Sequence, residues 1–212
     1  YGFPSGMQNC VIGLSNVVIQ SYINTFGAAA MAACGAYQKI EGFCLIPIMS
    51  IALALATFVG QNTGAHHPMR VRAGMKFGLT LSMILAEIIG FGVFVWREEL
   101  ISVFSPDADV IRLGAEYAKV AAPFYLLPAC THGLAAAFRG AGRPMFAMAV
   151  ILICWCAVRV CTLSTLMTIF PTISTIYWIY PATWILSSLI FMIAWWKMND
   201  ALRKGCTVAA KA

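Results

Sequence analysis

Hydrophobic residues fall in six long, nearly unbroken blocks, at about 6–27, 35–59, 76–96, 117–138, 145–169 and 175–196. Each is close to the ~20 apolar residues that an α-helix needs to cross a bilayer. Polar residues gather in short clusters between the blocks. No block alternates apolar and polar positions with the period of two that marks a strand, and the ten-residue alternating segments of a transmembrane barrel do not recur. The pattern predicts an all-α membrane protein, a bundle of six transmembrane helices over residues 1–200 with a polar tail at 201–212.

Composition agrees. The 212 residues are 61% hydrophobic and 10% charged, with a mean hydropathy of +0.82. A soluble domain carries about 25% charged residues, so a soluble enzyme, a nucleic-acid-binding module and a disordered chain are all disfavoured. The solvent implied for this chain is lipid bilayer. The net charge of +6 has a simple origin in the loops. Arg70, Arg72, Lys76, Arg139, Arg143, Lys197, Arg203, Lys204 and Lys211 fall on one side, with Asp200 as the lone acid. The other side mixes Arg97, Arg112 and Lys119 with Glu98, Glu99, Asp107, Asp109 and Glu116. The positive-inside rule places the basic side in the cytoplasm, which puts both termini there in a cell (plasma) membrane. Phe104-Ser105-Pro106-Asp107 is then an outer loop, followed by a short surface helix. Tyr177, Trp178 and Tyr180 at the outer boundary and Trp195-Trp196 at the inner one read as aromatic anchors. The eight cysteines lie mostly in apolar runs with no Cys-x-x-Cys pair, and read as packing residues. The chain starts at Tyr1 without a charged n-region, so no cleavable signal peptide is expected.

Candidate chemistry lies in the polar residues within the apolar blocks. On the first helix, Asn9, Gly13, Asn16, Gln20, Asn24 and Gly27 fall within a wedge of about 80°. The stripe faces other helices or a wet cavity; interhelical hydrogen bonding and cavity lining both fit. The second helix carries Gln38, Lys39 and Glu41 in its outer third. Lys39 can snorkel to the surface, whereas Glu41 is deeper and shares a face with Tyr37 and Gln38. Pro47, Pro123 and Pro128 predict kinks. Glu87 and Arg159 lie at similar depth on the third and fifth helices, so a buried Glu87–Arg159 ion pair is expected, with Glu41 as the competing partner for Arg159. His132 on the fourth helix is a packing residue or a proton carrier. His66-His67 have no spaced ligands, and no metal site is expected. No nucleophile elbow, His-Glu-x-x-His or Walker loop is present, and enzyme chemistry is not expected.

Three motifs in order and spacing carry a family resemblance: Gly2-Phe3-Pro4-Ser5-Gly6-Met7-Gln8, Gly60-Gln61-Asn62-Thr63-Gly64-Ala65 and Phe138-Arg139-Gly140-Ala141-Gly142-Arg143-Pro144. They resemble the multidrug and toxin extrusion (MATE) transporters, in their C-terminal six-helix half, over roughly residues 2–200. Glycines in the loop motifs allow tight helix exits, and Arg139 and Arg143 hold the inner boundary, where they meet anionic headgroups.

The resemblance implies one lobe of a twelve-helix antiporter. Drugs, typically organic cations, would bind in a cleft between lobes and leave in exchange for protons or sodium. No cofactor is implied beyond that coupling cation. The small-molecule substrate, the bilayer, and either a missing N-terminal six-helix half or a second copy are the implied partners; nucleic acid is not. By analogy the first, second and fourth helices line the cleft, with Asn16, Gln20, Asn24, Gln38, Lys39, Glu41 and His132 as cavity residues. Sodium-coupled bacterial members carry acids on the first and fourth helices of this half, where this chain has about Ile12 and Pro128. That cation site does not carry over. A lipid-linked sugar flippase of the same superfamily and a non-transporting membrane assembly subunit are the alternatives.

Overall fold

A computed structural model describes residues 2–209, with the side chains of 2–5, 7, 9 and 201–209 outside the description. Every described element is helical. In chain order they are α1 (Gly2–Asn24), α2 (Ala28–Gly64), α3 (Pro68–Val95), α4 (Arg97–Ser102), α5 (Ala108–Ala121), a 3-10 turn (Ala122–Phe124), α6 (Leu126–Gly140), α7 (Pro144–Ile151), a π turn (Leu152–Val158), α8 (Arg159–Ile169) and α9 (Ile173–Ala209). The Asn9 side chain and the tail beyond 209, Lys211 included, lie outside the described residues.

Each of the six expected apolar blocks is helical, and four of them have the length and hydropathy of a span. Ala28–Gly64, Pro68–Val95, Pro144–Ile169 and Ile173–Asp200 are each long and apolar enough to cross a bilayer alone. Ala108–Phe124 and Leu126–Gly140 join as a fifth span bent by 51°. Helix α1 covers the first expected block, but its apolar stretch, Cys10–Asn24, is shorter than the ~20 residues a span needs. The bend falls at Pro123, whose ring removes a backbone N–H and breaks the helical ladder into a 3-10 turn. The expected short surface helix after Pro106 is α5, the outer half of this bent span. It starts at Asp107, whose side chain accepts from the Asp109 N–H at 2.9 Å.

Helix α6 is the hub. Its Ala129, Ala135, Ala136 and Ala137 are fully buried and let neighbours approach closely. At its inner end a Cβ on Gly140 would collide with the Ala56 carbonyl of α2. The next glycine, Gly142, has φ of 79° and turns the chain toward α7. The first of these glycines serves helix contact and the second serves the exit.

Two apolar cores stack along the bundle. The outer one contains Tyr37, Tyr117, Tyr125, Tyr177 and Tyr180 with Ile19, Ile23 and Trp184. The inner one contains Leu55, Val59, Met75, Leu134, Phe138, Ile151 and Phe191. Between them lies a belt of hydroxyls. Thr131 Oγ1 is 3.0 Å from both Ser187 Oγ and Ser188 Oγ, and Trp155 Nε1 donates to Ser187 Oγ at 3.0 Å. Ser188 completes it by donating to the Leu127 carbonyl at 2.9 Å. Satisfied in this way, polar atoms can be buried in the bundle without the full desolvation cost.

Tyr177 and Tyr180, expected as boundary anchors, are buried in the outer core instead; Trp178 between them is exposed, as its position one residue around the helix requires. At the inner end Trp196 is exposed and Trp195 half-buried.

Candidate functional site

Glu41 stands on α2 one turn after Tyr37, so the carboxylate and the phenol share a face. Tyr37 is fully buried, its hydroxyl 2.9 Å from that of Tyr125 beyond the Pro123 bend. Its ring lies 4.2 Å from the Tyr117 ring, which stacks on Tyr177 at 4.5 Å and lies 5.7 Å from Tyr180. The Tyr117 hydroxyl, fully buried, makes no hydrogen bond of ordinary geometry. Helices α2, α5, α6 and α9 thus surround a half-buried carboxylate with phenols.

Arg159 closes this cluster. It begins α8, directly after the π turn, and is 3% exposed. Its Nε and Nη2 both donate to Thr183 Oγ1, at 3.1 and 2.8 Å. The guanidinium carbon lies 4.5 Å from the Tyr180 ring centroid and 5.4 Å from that of Trp155. Glu41 is within electrostatic reach of Arg159 and of Tyr37, Tyr117, Tyr125 and Tyr180. It does not touch the guanidinium: among the described residues, the ion pairs closer than 4.0 Å are Arg97–Glu98 and Arg112–Asp109.

The expected Glu87–Arg159 pair does not form. Glu87 is exposed on α3, with the Leu126 backbone N–H beside it, while Arg159 turns toward α9. The two residues lie on helices with different neighbours: α3 packs on α2 and α6, whereas α8 packs on α9 and α1.

The amides of α1 sit on its open side. Asn16 and Asn24 are exposed, and Gln20 donates to Asn24 at 3.1 Å along the same helix. The side of α1 packed on the lobe is different: Ser15, Ile19 and Ile23 are buried there, and Tyr22 Oη donates to Ser164 at 3.1 Å. Within the lobe the stripe does not act as interhelical glue. Gln38 is exposed. Lys39 reaches outward and places its ammonium 5.7 Å from the Phe104 ring centroid. Both lie apart from the tyrosine cluster.

His132 belongs to a second site. Its ring meets Trp155 edge-on at 5.3 Å, and it lines a cavity of about 280 Å³ with Gln8, Ile12, Met49, Arg139, Ile151 and Trp155. Arg139, expected only to hold the inner boundary, therefore also points into the bundle. Sequence reasoning passed over Trp155 and Arg139 here. The i, i+7 spacing of His132 and Arg139 was the available signal, since it puts both on one face of α6. Among the described residues, no group of three or more His, Cys, Asp or Glu side chains could hold a metal.

Comparison with known proteins gives a consistent answer. The MatE family model matches residues 4–165. A probable multidrug resistance protein of Bacillus subtilis, YoeA, is 21% identical over 145 residues, 68% of this chain and 31% of that protein. An FAD transporter of Shewanella oneidensis is 28% identical over 109 residues, 51% of this chain and 24% of that protein. Among solved structures, a MATE protein crystallised in complex with MaL6 superposes with a TM-score of 0.88 at 12% identity, covering 96% of this chain and 46% of that one. This chain thus spans about a third or less of these curated relatives and just under half of the solved one. With that match over most of its length and an all-helical membrane bundle of the same fold, the chain belongs to the MatE family.

Proposed function

We propose that this chain is one lobe of a secondary active transporter of the plasma membrane that exports drugs or other small organic molecules by antiport with a cation. Both termini face the cytoplasm, and the substrate cleft lies between this lobe and a second one. The observation that carries the reading is Glu41, a carboxylate in the spanning part of the bundle held among buried phenols and near, but not against, Arg159. A carboxylate in the bilayer is expensive unless it has work to do, and one left without a direct ion pair is free to exchange a small cation. The exposed amide stripe of α1 supports the same reading, because it gives the lobe a polar face for the cleft.

Of the two coupling ions, this site suits the proton. Glu41 is the only acid on α2, and α1, α6, α7 and α8 carry none. A single carboxylate takes up one proton with no further ligand, whereas a hard metal cation needs several oxygen ligands and would sit beside the fixed charge of Arg159. The test is resistance to a panel of drugs in cells expressing the full-length protein, followed by efflux from proteoliposomes under an imposed pH or sodium gradient. Glu41→Gln should lower pH-driven export at least tenfold at equal protein level, with Glu41→Asp retaining part of it. Unchanged export in Glu41→Gln, or export driven by sodium alone, would refute this assignment.

A further inference from the structure

The cavity that holds His132 has a charge pattern opposite to that of a cation site. Its walls are α1, which gives Gln8 and Ile12, and α2, which gives Met49. The α6 face gives His132 and Arg139, and α7 and the π turn give Ile151 and Trp155. None of these side chains is acidic. The helices that build the cavity hold one acid between them, Glu41, and it lies eight residues outward of Met49, about 12 Å along α2. An organic cation placed in this cavity would meet Arg139 and no counter-charge.

Arg139 itself is half-buried and has no carboxylate partner among the described residues. A guanidinium in such a place is a ready donor site for a carboxylate or phosphate, which it grips through two parallel N–H groups. Gln8 supplies an amide N–H and His132 an imidazole N–H, each able to donate to an anionic oxygen. Trp155 and the apolar Ile12, Met49 and Ile151 give the rest of the lining to a flat hydrophobic body. A volume of about 280 Å³ is at the low end for a ligand pocket, enough for an aromatic ring with its charged group.

We infer that this cavity binds the carboxylate or phosphate of an anionic aromatic molecule, with Arg139 as its counter-charge. The inference rests on the exporter reading for its purpose, since it makes this lobe the part that selects the acidic group of the cargo, but not for its test. Phosphate could come from cargo or from an anionic lipid headgroup, and the experiment separates the two.

Purified full-length protein in neutral phosphatidylcholine nanodiscs is titrated by calorimetry with phenyl phosphate and with benzylamine, which has a similar ring and the opposite charge. The native protein should bind phenyl phosphate at least tenfold more tightly than benzylamine, and added KCl should weaken that binding. Arg139→Gln should reduce the affinity at least tenfold and Arg139→Lys by less. Equal binding of the two compounds by native protein overturns the inference, even if the variants fail to fold. Retention of affinity within twofold in a folded Arg139→Gln protein overturns it as well. In nanodiscs containing phosphatidylglycerol, a loss of phenyl phosphate affinity shows a lipid phosphate as the competing anion at the same site; no loss assigns the site to soluble cargo. Export is read separately in proteoliposomes: binding without export leaves the anion site standing and removes the exporter reading.

Discussion

Arg159 is the residue most at odds with its surroundings, a guanidinium 3% exposed in the spanning part of the bundle. Sequence marks its charge as needing a partner within an apolar helix. Glu87 was the expected one, and the structure supplies Thr183 instead, through two donor groups on a single oxygen. A threonine on an apolar helix carries no mark of that role in the sequence, because its hydroxyl could as well bond back to its own helix. It does so here too: Thr183 Oγ1 lies 3.0 Å from the Ile179 carbonyl. Thr183→Val keeps the shape and removes the acceptor, so the charge loses both bonds. The expected loss is about 2 kcal/mol, measured as a lower Tm of the full-length protein in detergent. Thr183→Ser should stay within about 1 kcal/mol of native, since it retains the oxygen. Glu87→Gln should leave Tm unchanged or raise it, because Glu87 has no ion pair among the described residues and a neutral amide costs less than a carboxylate on a spanning helix; a large loss there would restore the rejected pairing.

Among the elements, the long spans were legible because length and hydropathy together specify a membrane helix. The outer half of the bent span was harder. Asp109, Arg112, Glu116 and Lys119 make residues 108–121 look like a loop bearing a surface helix. The buried positions Val110, Gly114, Tyr117, Ala118 and Ala121 recur at helical spacing, and their packing joins the segment to the bundle. The π turn at Leu152–Val158 had no signal at all, since one extra residue in a helical turn leaves no mark on composition. Its effect is local and concrete: the Trp155 carbonyl accepts from Ser15 Oγ of α1 at 3.4 Å, and Arg159 follows at its end. The glycine-rich inner motif was read as a helix exit, which holds for Gly142 alone. Gly140 is a contact point between α6 and α2, and Gly140→Ala drives a methyl into backbone. It should cost about 1–3 kcal/mol as an overpacked site. Gly142→Ala, strained by its φ of 79°, should cost about 1 kcal/mol. Chemical unfolding of the two variants ranks them; the reverse order would show that the exit turn matters more than the crossing.

At the scale of the molecule, α1 decides how this lobe meets what surrounds it. Around its axis the residues divide into three sectors at about 100° per residue. Ser15, Ile19, Tyr22 and Ile23 occupy one sector, against the lobe. Leu14, Val17 and Val18 occupy another, exposed, as are Phe43, Leu53, Phe77 and Phe91 elsewhere on the bundle; this sector's two hydroxyls, Ser21 and Thr25, bond back to carbonyls of α1 itself. Surfaces of that kind belong against acyl chains. Gly13, Asn16, Gln20 and Asn24 fill the sector between. The sequence defined this stripe fully but left its neighbour open, because periodicity fixes which residues share a face and not what the face meets. Its own lobe does not cover the stripe, so the stripe faces either lipid or the wet crevice toward a second lobe that is proposed above. Cysteine labelling distinguishes them in the full-length protein in membranes, with Cys10, Cys161 and Cys206 replaced by Ala to silence the background. Asn16→Cys and Asn24→Cys should react with a water-soluble maleimide at least tenfold faster than Leu14→Cys and Val17→Cys on the adjoining sector. Equal, slow labelling of all four would put the amides in lipid and remove the cleft from this side of the lobe. Fast labelling at 16 and 24 that export substrates slow down would place the path of the cargo along α1.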